Sequence, residues 1–151
     1  MAFIRGGNAT LTLVRFTPTT QALTAALNNV SLSFDSGQTE VTSLGDTSRD
    51  FQGTILKGTI TASGYFDDTS LGNTSGLDFF LQEALDNDRL LNWQIVLGTG
   101  TVRTYNNTGY STVSPSTTNG CRISAYEQSN DSGGIAAFSV TFQIHGAWTV
   151  A

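Results

Sequence analysis

The sequence predicts a mainly β protein: an antiparallel β-sandwich or flattened barrel carrying one α-helix, in a single domain over residues 1–151. Three observations lead there. Apolar and polar residues alternate at period two over most of the chain, clusters of Gly, Asn, Asp and Ser separate the alternating runs, and one segment alone switches to a helical period.

In chain order, residues 10–16 form the first candidate strand and residues 21–27 allow a second, short helix. Strands over residues 30–34 and 40–44 follow, divided by the turn-formers Asp35-Ser36-Gly37. Residues 54–66 place Leu56, Ile60, Ala62 and Phe66 on one side and Lys57, Thr59, Thr61 and Ser63 on the other. The helix runs from about Gly76 to Asn87. Ser75 is a good N-cap with Asp78 three residues on, and Leu77, Phe80, Leu81, Ala84 and Leu85 make an apolar stripe. Phe79 lies off that stripe, so it either widens the core face or meets another chain. Asp86-Asn87-Asp88 favours a stop. Residues 91–97 point Leu91, Trp93, Ile95 and Leu97 inward, and shorter strands follow over residues 102–105 and 121–127, the latter entered through Asn119-Gly120, a pair with hairpin chemistry. Residues 136–150 read as one long strand, with Phe138, Val140, Phe142, Ile144 and Trp148 on its apolar face.

Charge narrows the function. Charged residues make up 13% of the chain, about half the usual share. Twelve acidic residues against seven basic ones give a formal charge of −5. Lys57 is the only lysine and the arginines are scattered, so the chain lacks the cations that neutralise phosphates in a nucleic-acid binder. The single Cys121 excludes an intramolecular disulfide and a multi-Cys zinc site; beside Ile123 and Ala125 it reads as a small core residue in a reducing compartment. The amino terminus carries no apolar leader and no run approaches a membrane span, so a protein made in the cytosol with no membrane partner is expected.

Chemistry is sparse. His145 is the only histidine and sits on the polar side of a strand with no carboxylate at local spacing. Asp67-Asp68 and Asp86/Asp88 read as solvated turn residues. Gly98-Thr99-Gly100 lacks the Lys-Ser/Thr of a phosphate loop. Asn-x-Ser/Thr triplets at Asn8, Asn29, Asn73, Asn106 and Asn130 follow from a composition rich in those residues. No catalytic, cofactor-binding or metal-ligating residue is assigned, and no enzyme activity or cofactor is expected.

Three stretches carry a likeness beyond pattern. Val30-Ser31-Leu32-Ser33-Phe34-Asp35 leads through Val41-Thr42-Ser43-Leu44-Gly45-Asp46-Thr47-Ser48-Arg49-Asp50-Phe51 to Gly58-Thr59-Ile60-Thr61-Ala62-Ser63-Gly64-Tyr65-Phe66-Asp67. The helix from Gly76 to Asn87 then runs into Trp93-Gln94-Ile95-Val96-Leu97-Gly98, and Ala137-Phe138-Ser139-Val140-Thr141-Phe142-Gln143-Ile144-His145-Gly146 closes the chain. In this order they resemble the major tail tube proteins of long-tailed bacteriophages, over residues 30–146.

That resemblance implies a virion structural protein whose subunits form hexameric rings, stacked into the tube through which DNA is ejected. Inner strands of all subunits would close one barrel around the lumen. Thr59, Thr61 and Ser63 would line it, and an inter-subunit arm within residues 35–50 would use Asp35, Glu40, Asp46, Arg49 and Asp50. The implied partners are further copies of the chain, with tape-measure, tail terminator and baseplate or tip proteins; DNA passes without specific binding. The implied location is the virion tail, after assembly in the host cytoplasm, with residues 1–8 a flexible stretch. A ring of six chains would carry thirty net negative charges, and Lys57 and Arg103 must point away from the lumen or pair with carboxylates. The alternatives are a tube subunit of a phage-derived particle, whether a gene-transfer agent or an injection system, and a monomeric glycan-binding sandwich using Tyr65, Tyr105, Tyr110, Tyr126 and Trp148.

Overall fold

A computed structural model describes residues 10–15, 20–22, 27–45, 47–49, 51–65, 77–97, 103–130 and 136–151. The elements are β1 (Thr10–Arg15), β2 (Thr20–Ala22), β3 (Leu27–Glu40), β4 (Phe51–Tyr65), α1 (Leu77–Asp86), β5 (Leu91–Leu97), β6 (Arg103–Asn107), β7 (Gly120–Ser129), β8 (Ala137–His145) and β9 (Trp148–Val150). One antiparallel sheet runs in the order β2-β1-β5-β7-β8-β4-β3, with β6 added to β5 and β9 to β6. It curls into a half-barrel with α1 packed inside the curl against β7.

Period-two alternation becomes one buried face. On β8, Phe138, Val140, Phe142 and Ile144 are buried while Ser139 and His145 are exposed; on β4, Ile60 and Ala62 are fully buried. Leu11 and Leu13 of β1 and Leu91, Trp93 and Ile95 of β5 meet them across the curl, and Phe80, Leu81 and Ala84 of α1 close the core. Each fully buried large apolar side chain contributes about 1.5–3 kcal/mol. The helix stops as its sequence foretells: Asp88 takes φ of 47°, its N–H donates to the Leu85 carbonyl, and the Arg89 N–H donates to that of Ala84.

Several expectations change. The segment Asp35-Ser36-Gly37 is no turn; β3 runs straight through it to Glu40, and residues 41–44 are loop rather than strand. A register shift between Ser36 and Gln38, with an extra residue on β4, absorbs the irregularity. Thr20–Ala22 is a strand where part of a helix was expected, because its backbone groups pair with β1; residues 23–26 lie outside the described set, as do Phe16, Phe66 and Ser75 and the side chain of Phe79. Leu56 shares the parity of the core face yet is 58% exposed, since it lies beyond the end of the core. A bulge between Ile123 and Ala125 turns Ala125 outward and puts Tyr126 against the core instead. The expected last strand is two. Gly146, at φ of 78°, ends β8 and redirects the chain so that β9 pairs with β6. Asn119-Gly120 makes no two-residue hairpin either: residues 108–119 form a long loop, and Gly120 is required because a Cβ there would strike the Leu91 carbonyl.

Candidate functional site

Four strands in the order β3-β4-β8-β7 carry, on the side away from the core, a face made almost wholly of hydroxyl and amide groups. Register sets its rows. Ser33, Thr59, Gln143 and Arg122 lie side by side; Ser31, Thr61 and Thr141 make the next row; Asn29, Ser63, Ser139 and Glu127 the third. The expected lining residues Thr59, Thr61 and Ser63 thus run down the middle of one continuous surface. Gln143 donates to the Gly58 carbonyl at 2.8 Å and Ser124 to that of Thr141 at 3.2 Å, which stiffens the surface. Among its described charges, Asp35 stands opposite Lys57 in register, Arg122 Nε lies 3.5 Å from Asp88 Oδ1, and Glu127 stands opposite Ser139. Arg103 is on β6, away from this face.

The outer edges of the same four strands are paired by no other described strand over most of their length. On β7, Leu91 of β5 pairs with Cys121 alone, and no described strand pairs with the outer side of the residues that follow, as far as Ser129. β3 pairs with β4 and with no other described strand along its length. Long free edges present rows of unsatisfied N–H and C=O groups, which another strand satisfies.

Beyond the row of Thr59, β3 and β4 have no other described strand neighbour and run on as a two-stranded ribbon, about 20 Å long on its β3 side. Residues opposite in register share a face, so Phe34, Leu56 and Phe51 lie on one side of the ribbon and Asp35 and Lys57 on the other. Phe51 is 52% exposed, Val41 44%, and Leu44 at the loop fully so. At the tip, Arg49 Nε approaches Glu40 Oε1 at 3.9 Å and Thr42 donates to the same oxygen at 3.0 Å. Of the five expected arm residues, the structure therefore brings Glu40 and Arg49 together and sets Asp35 on the opposite face against Lys57; Asp46 and Asp50 lie outside the described residues. An isolated two-stranded ribbon is marginally stable in water, so this one calls for a partner.

At the ribbon's base, Phe34 stacks on Trp148 with ring centroids 4.9 Å apart. Val30, Leu32, Phe34, Ile95, Leu97 and Tyr105 line an adjoining apolar cavity of about 300 Å³. Tyr105, Tyr126 and Trp148 pack against the core, so with Tyr65 half exposed and Tyr110 partly buried the five candidates make no aromatic platform. Burial pushes the Tyr110 hydroxyl up; it does the same for Tyr126, whose bond to the Asp78 carboxylate adds to the shift.

Two polar clusters fix this scaffold. Asn92 and Asn107, both buried, hold the loop over residues 108–119: Asn107 donates to Asn92 Oδ1 at 2.7 Å and accepts the Trp93 N–H at 2.8 Å, while Asn92 exchanges bonds with the Ser116 backbone. Asn119 Oδ1 accepts the Ala147 N–H at 2.9 Å, tying that loop to the bend at Gly146. On α1, Asp78 accepts from Tyr126 and Gln128 of β7, and Glu83 accepts from Arg15 at 2.6 Å and Arg89 at 2.7 Å. Partial burial alone would raise the Glu83 carboxyl, but the two guanidiniums outweigh it and hold it below the ordinary carboxylate range. These residues escape a sequence reading because their partners are distant in the chain.

Cys121 is fully buried, and desolvation pushes its thiol far above the ordinary range, which makes it inert. Among the described residues no group of three or more His, Cys, Asp or Glu is placed to hold a metal, and no helix is long and apolar enough to cross a membrane.

No protein-family model matches the sequence, and no curated protein does. Solved structures do. The virion of a native gene transfer agent contains a chain that superimposes with a TM-score of 0.70 at 15% identity, over 97% of this chain and 98% of that one. A subunit of the SPP1 tail tube gives 0.68 at 12% identity, over 95% and 77%. The tail of an empty gene-transfer-agent particle, refined with C6 symmetry, gives 0.69 at 16% over 97% and 98%. This chain has the tail-tube fold. The tail-tube fold also appears, at a TM-score of 0.60 and 15% identity over 99% and 91% of the chains, in the sheath–tube complex of an extracellular contractile injection system.

Proposed function

We propose that this chain is the repeating subunit of a phage-type tail tube, with a structural role and no catalytic one. The observation that carries the reading is the four-stranded polar face bounded by two free edges. Joining β3 of one copy to β7 of the next satisfies both edges, and six copies, as in the C6 tail it resembles, contribute four strands each to a barrel of twenty-four. At the usual strand spacing and tilt, such a barrel has a backbone diameter of about 45 Å. Thr59, Thr61 and Ser63 then face the lumen. The ribbon, with Glu40 and Arg49 at its tip and Asp46 and Asp50 in the same loop, reaches from one subunit to another and covers Phe51, Leu56 and Leu44.

The subunit works in a virion tail assembled in the host cytoplasm, capped by a terminator, filled first by a tape-measure protein and ended by a tip complex, with DNA passing through it unbound. The same architecture serves a gene-transfer-agent tail, a second reading favoured by the superposition on gene-transfer-agent chains. Negative-stain microscopy of the concentrated protein tests the proposal. Rings or tubes of uniform width support it, and deleting residues 36–49 leaves a folded monomer that makes no tubes. A particle that stays monomeric under every condition overturns it.

A further inference from the structure

We propose that Arg122 of one subunit pairs with Asp35 of the next across the joint between β7 and β3, and that this contact sets the stagger with which the ring closes. The inference rests on the proposal that these two edges join. It adds what the edges recognise in each other.

Both residues stand at free edges on the polar face, and each lacks a partner that its chemistry calls for. Asp35 is exposed on β3. Lys57 lies opposite it in register, yet no ion pair forms between them, and among the described residues the Asp35 carboxylate meets no other cation. Arg122 is half-buried on β7 beside Gln143. The exposed Asp88 approaches its Nε only to 3.5 Å, and that buried nitrogen donates no hydrogen bond. A guanidinium carries five donors in a fixed fork that matches a carboxylate. Leaving a buried donor unused is costly, and a carboxylate brought to the same edge supplies the missing acceptor.

Barrel geometry brings the two together. β3 and β8 run toward the ribbon while β4 and β7 run away from it, so β3 of one copy meets β7 of the next antiparallel. Within a subunit Arg122 shares its row with Ser33, but a closed barrel needs tilted strands and a staggered register. Side chains keep their faces only if the stagger is an even number of residues. Shifting toward the ribbon keeps Arg122 to Ser129 opposite residues of β3, whereas four residues the other way carry the far end of β7 past Leu27, where β3 begins. Ser124 is left out of the count as the bulged residue. Two residues toward the ribbon put Arg122 directly opposite Asp35. Four put it on the diagonal from Asp35, within reach of so long a side chain, and tilt the strands by about 35°, from about 13 Å of shift across about 19 Å of sheet. Six set Asp35 against Glu127, like against like. Closure and charge together confine the stagger to two or four residues.

Complementary charge reversal tests the pair. Asp35→Arg and Arg122→Asp are made as separate proteins, and assembly is followed by pelleting and negative-stain microscopy. Alone, each variant sets like charges against each other at every joint, and its critical concentration should rise about tenfold over that of the unsubstituted chain. Mixed in equal amounts, the two alternate around a ring, and every joint then sets opposite charges together. Assembly should return close to that of the unsubstituted chain. The mixture contains the same subunits, so rescue by mixing does not come from their folding. A mixture no better than its components, or variants that assemble alone as the unsubstituted chain does, overturns the pair and leaves the ring reading standing. An unsubstituted chain that forms no ring or tube sinks the ring reading, and the pair with it. Should either reversed subunit fail to fold, Asp35→Cys with Arg122→Cys in one chain, treated with a short bis-maleimide, takes its place, since Cys121 is buried and silent. A ladder of covalent oligomers ending at six is expected, as in a C6 ring, and its absence overturns the pair.

Discussion

Replacing Phe51 and Leu56 together by serine attacks the ribbon without touching the core. Both side chains lie on the same face of β3–β4, and 52% and 58% of their surface is open to water in the subunit. Fully burying such a side chain contributes about 1.5–3 kcal/mol, so covering the half still exposed contributes about 1–1.5 kcal/mol each. Under the tube proposal, losing both weakens the contact between subunits by about 2–3 kcal/mol, which raises the critical concentration for tube formation by about 30- to 150-fold. The nearly half of each side chain already covered within the subunit contributes a comparable amount to its own stability, so the double variant should still fold but melt roughly 4–10 °C lower. Pelleting across a concentration series gives the critical concentration, and circular dichroism gives the melting temperature. An unchanged critical concentration would refute the idea that neighbours cover this face. A double variant that no longer folds would place both residues in the subunit's own core.

Asn107→Ala strands the Trp93 N–H and removes a donor from Asn92 Oδ1 inside the core; it should cost about 3 kcal/mol and lower the melting temperature by about 10 °C. Asn106→Ala, on the half-buried neighbour, is the matched control, and equal losses in the two would refute the clamp. Gly120→Ala drives a methyl into the Leu91 carbonyl and should cost about 2 kcal/mol in urea denaturation. Acid should expose the Glu83 cluster: with its folded carboxyl held low, its contribution is fully present above the unfolded carboxylate range, near pH 4.3, and lost as the pH falls through the lowered folded value. Glu83→Gln should therefore flatten the acid limb of a stability–pH profile; an unchanged limb would show that other carboxylates set it.

Local pattern made much of this fold legible. The alternation of Phe138, Val140, Phe142 and Ile144 needs no knowledge of neighbours, because period two and one buried face determine it. Asp86-Asn87-Asp88 likewise announces the helix stop, since Asp tolerates the left-handed conformation that Asp88 adopts. What failed was everything decided by another strand. Asp35-Ser36-Gly37 has turn chemistry, yet polar residues and glycine suit an exposed ribbon equally well, and pairing with residues 51–57 kept the chain extended. The bulge at Ser124 and the bend at Gly146 each moved later residues to another face or partner, which a fixed period does not anticipate. Of the candidate site, the alternation showed that Thr59, Thr61 and Ser63 share a side. Only the register revealed that Ser31, Ser139 and Thr141 extend it, and that Asp35 answers Lys57.

The two ends of the polar sheet differ, and under the tube reading that difference sets a direction of growth. At one end lie the ribbon, the bend at Gly146, and the loop over residues 108–119, which leaves Val113 80% exposed. At the other, β4 ends at Tyr65, β8 begins, and Asp78 at the start of α1 is tied to Tyr126 and Gln128. A contact between unlike ends is heterologous, and stacking rings by such a contact repeats without closing, which produces a filament. The ribbon also leaves the sheet in the strand direction, so its exposed apolar residues lie beyond the row of Thr59, where a subunit of the next ring can cover them. Edge pairing of β3 with β7 then builds the ring, and the ribbon joins one ring to the next. These are separable contacts. Phe51→Ser with Leu56→Ser should spare isolated rings while preventing long tubes, whereas a proline at Ser31, whose N–H would pair with a neighbouring edge strand if it points outward, should block ring closure first.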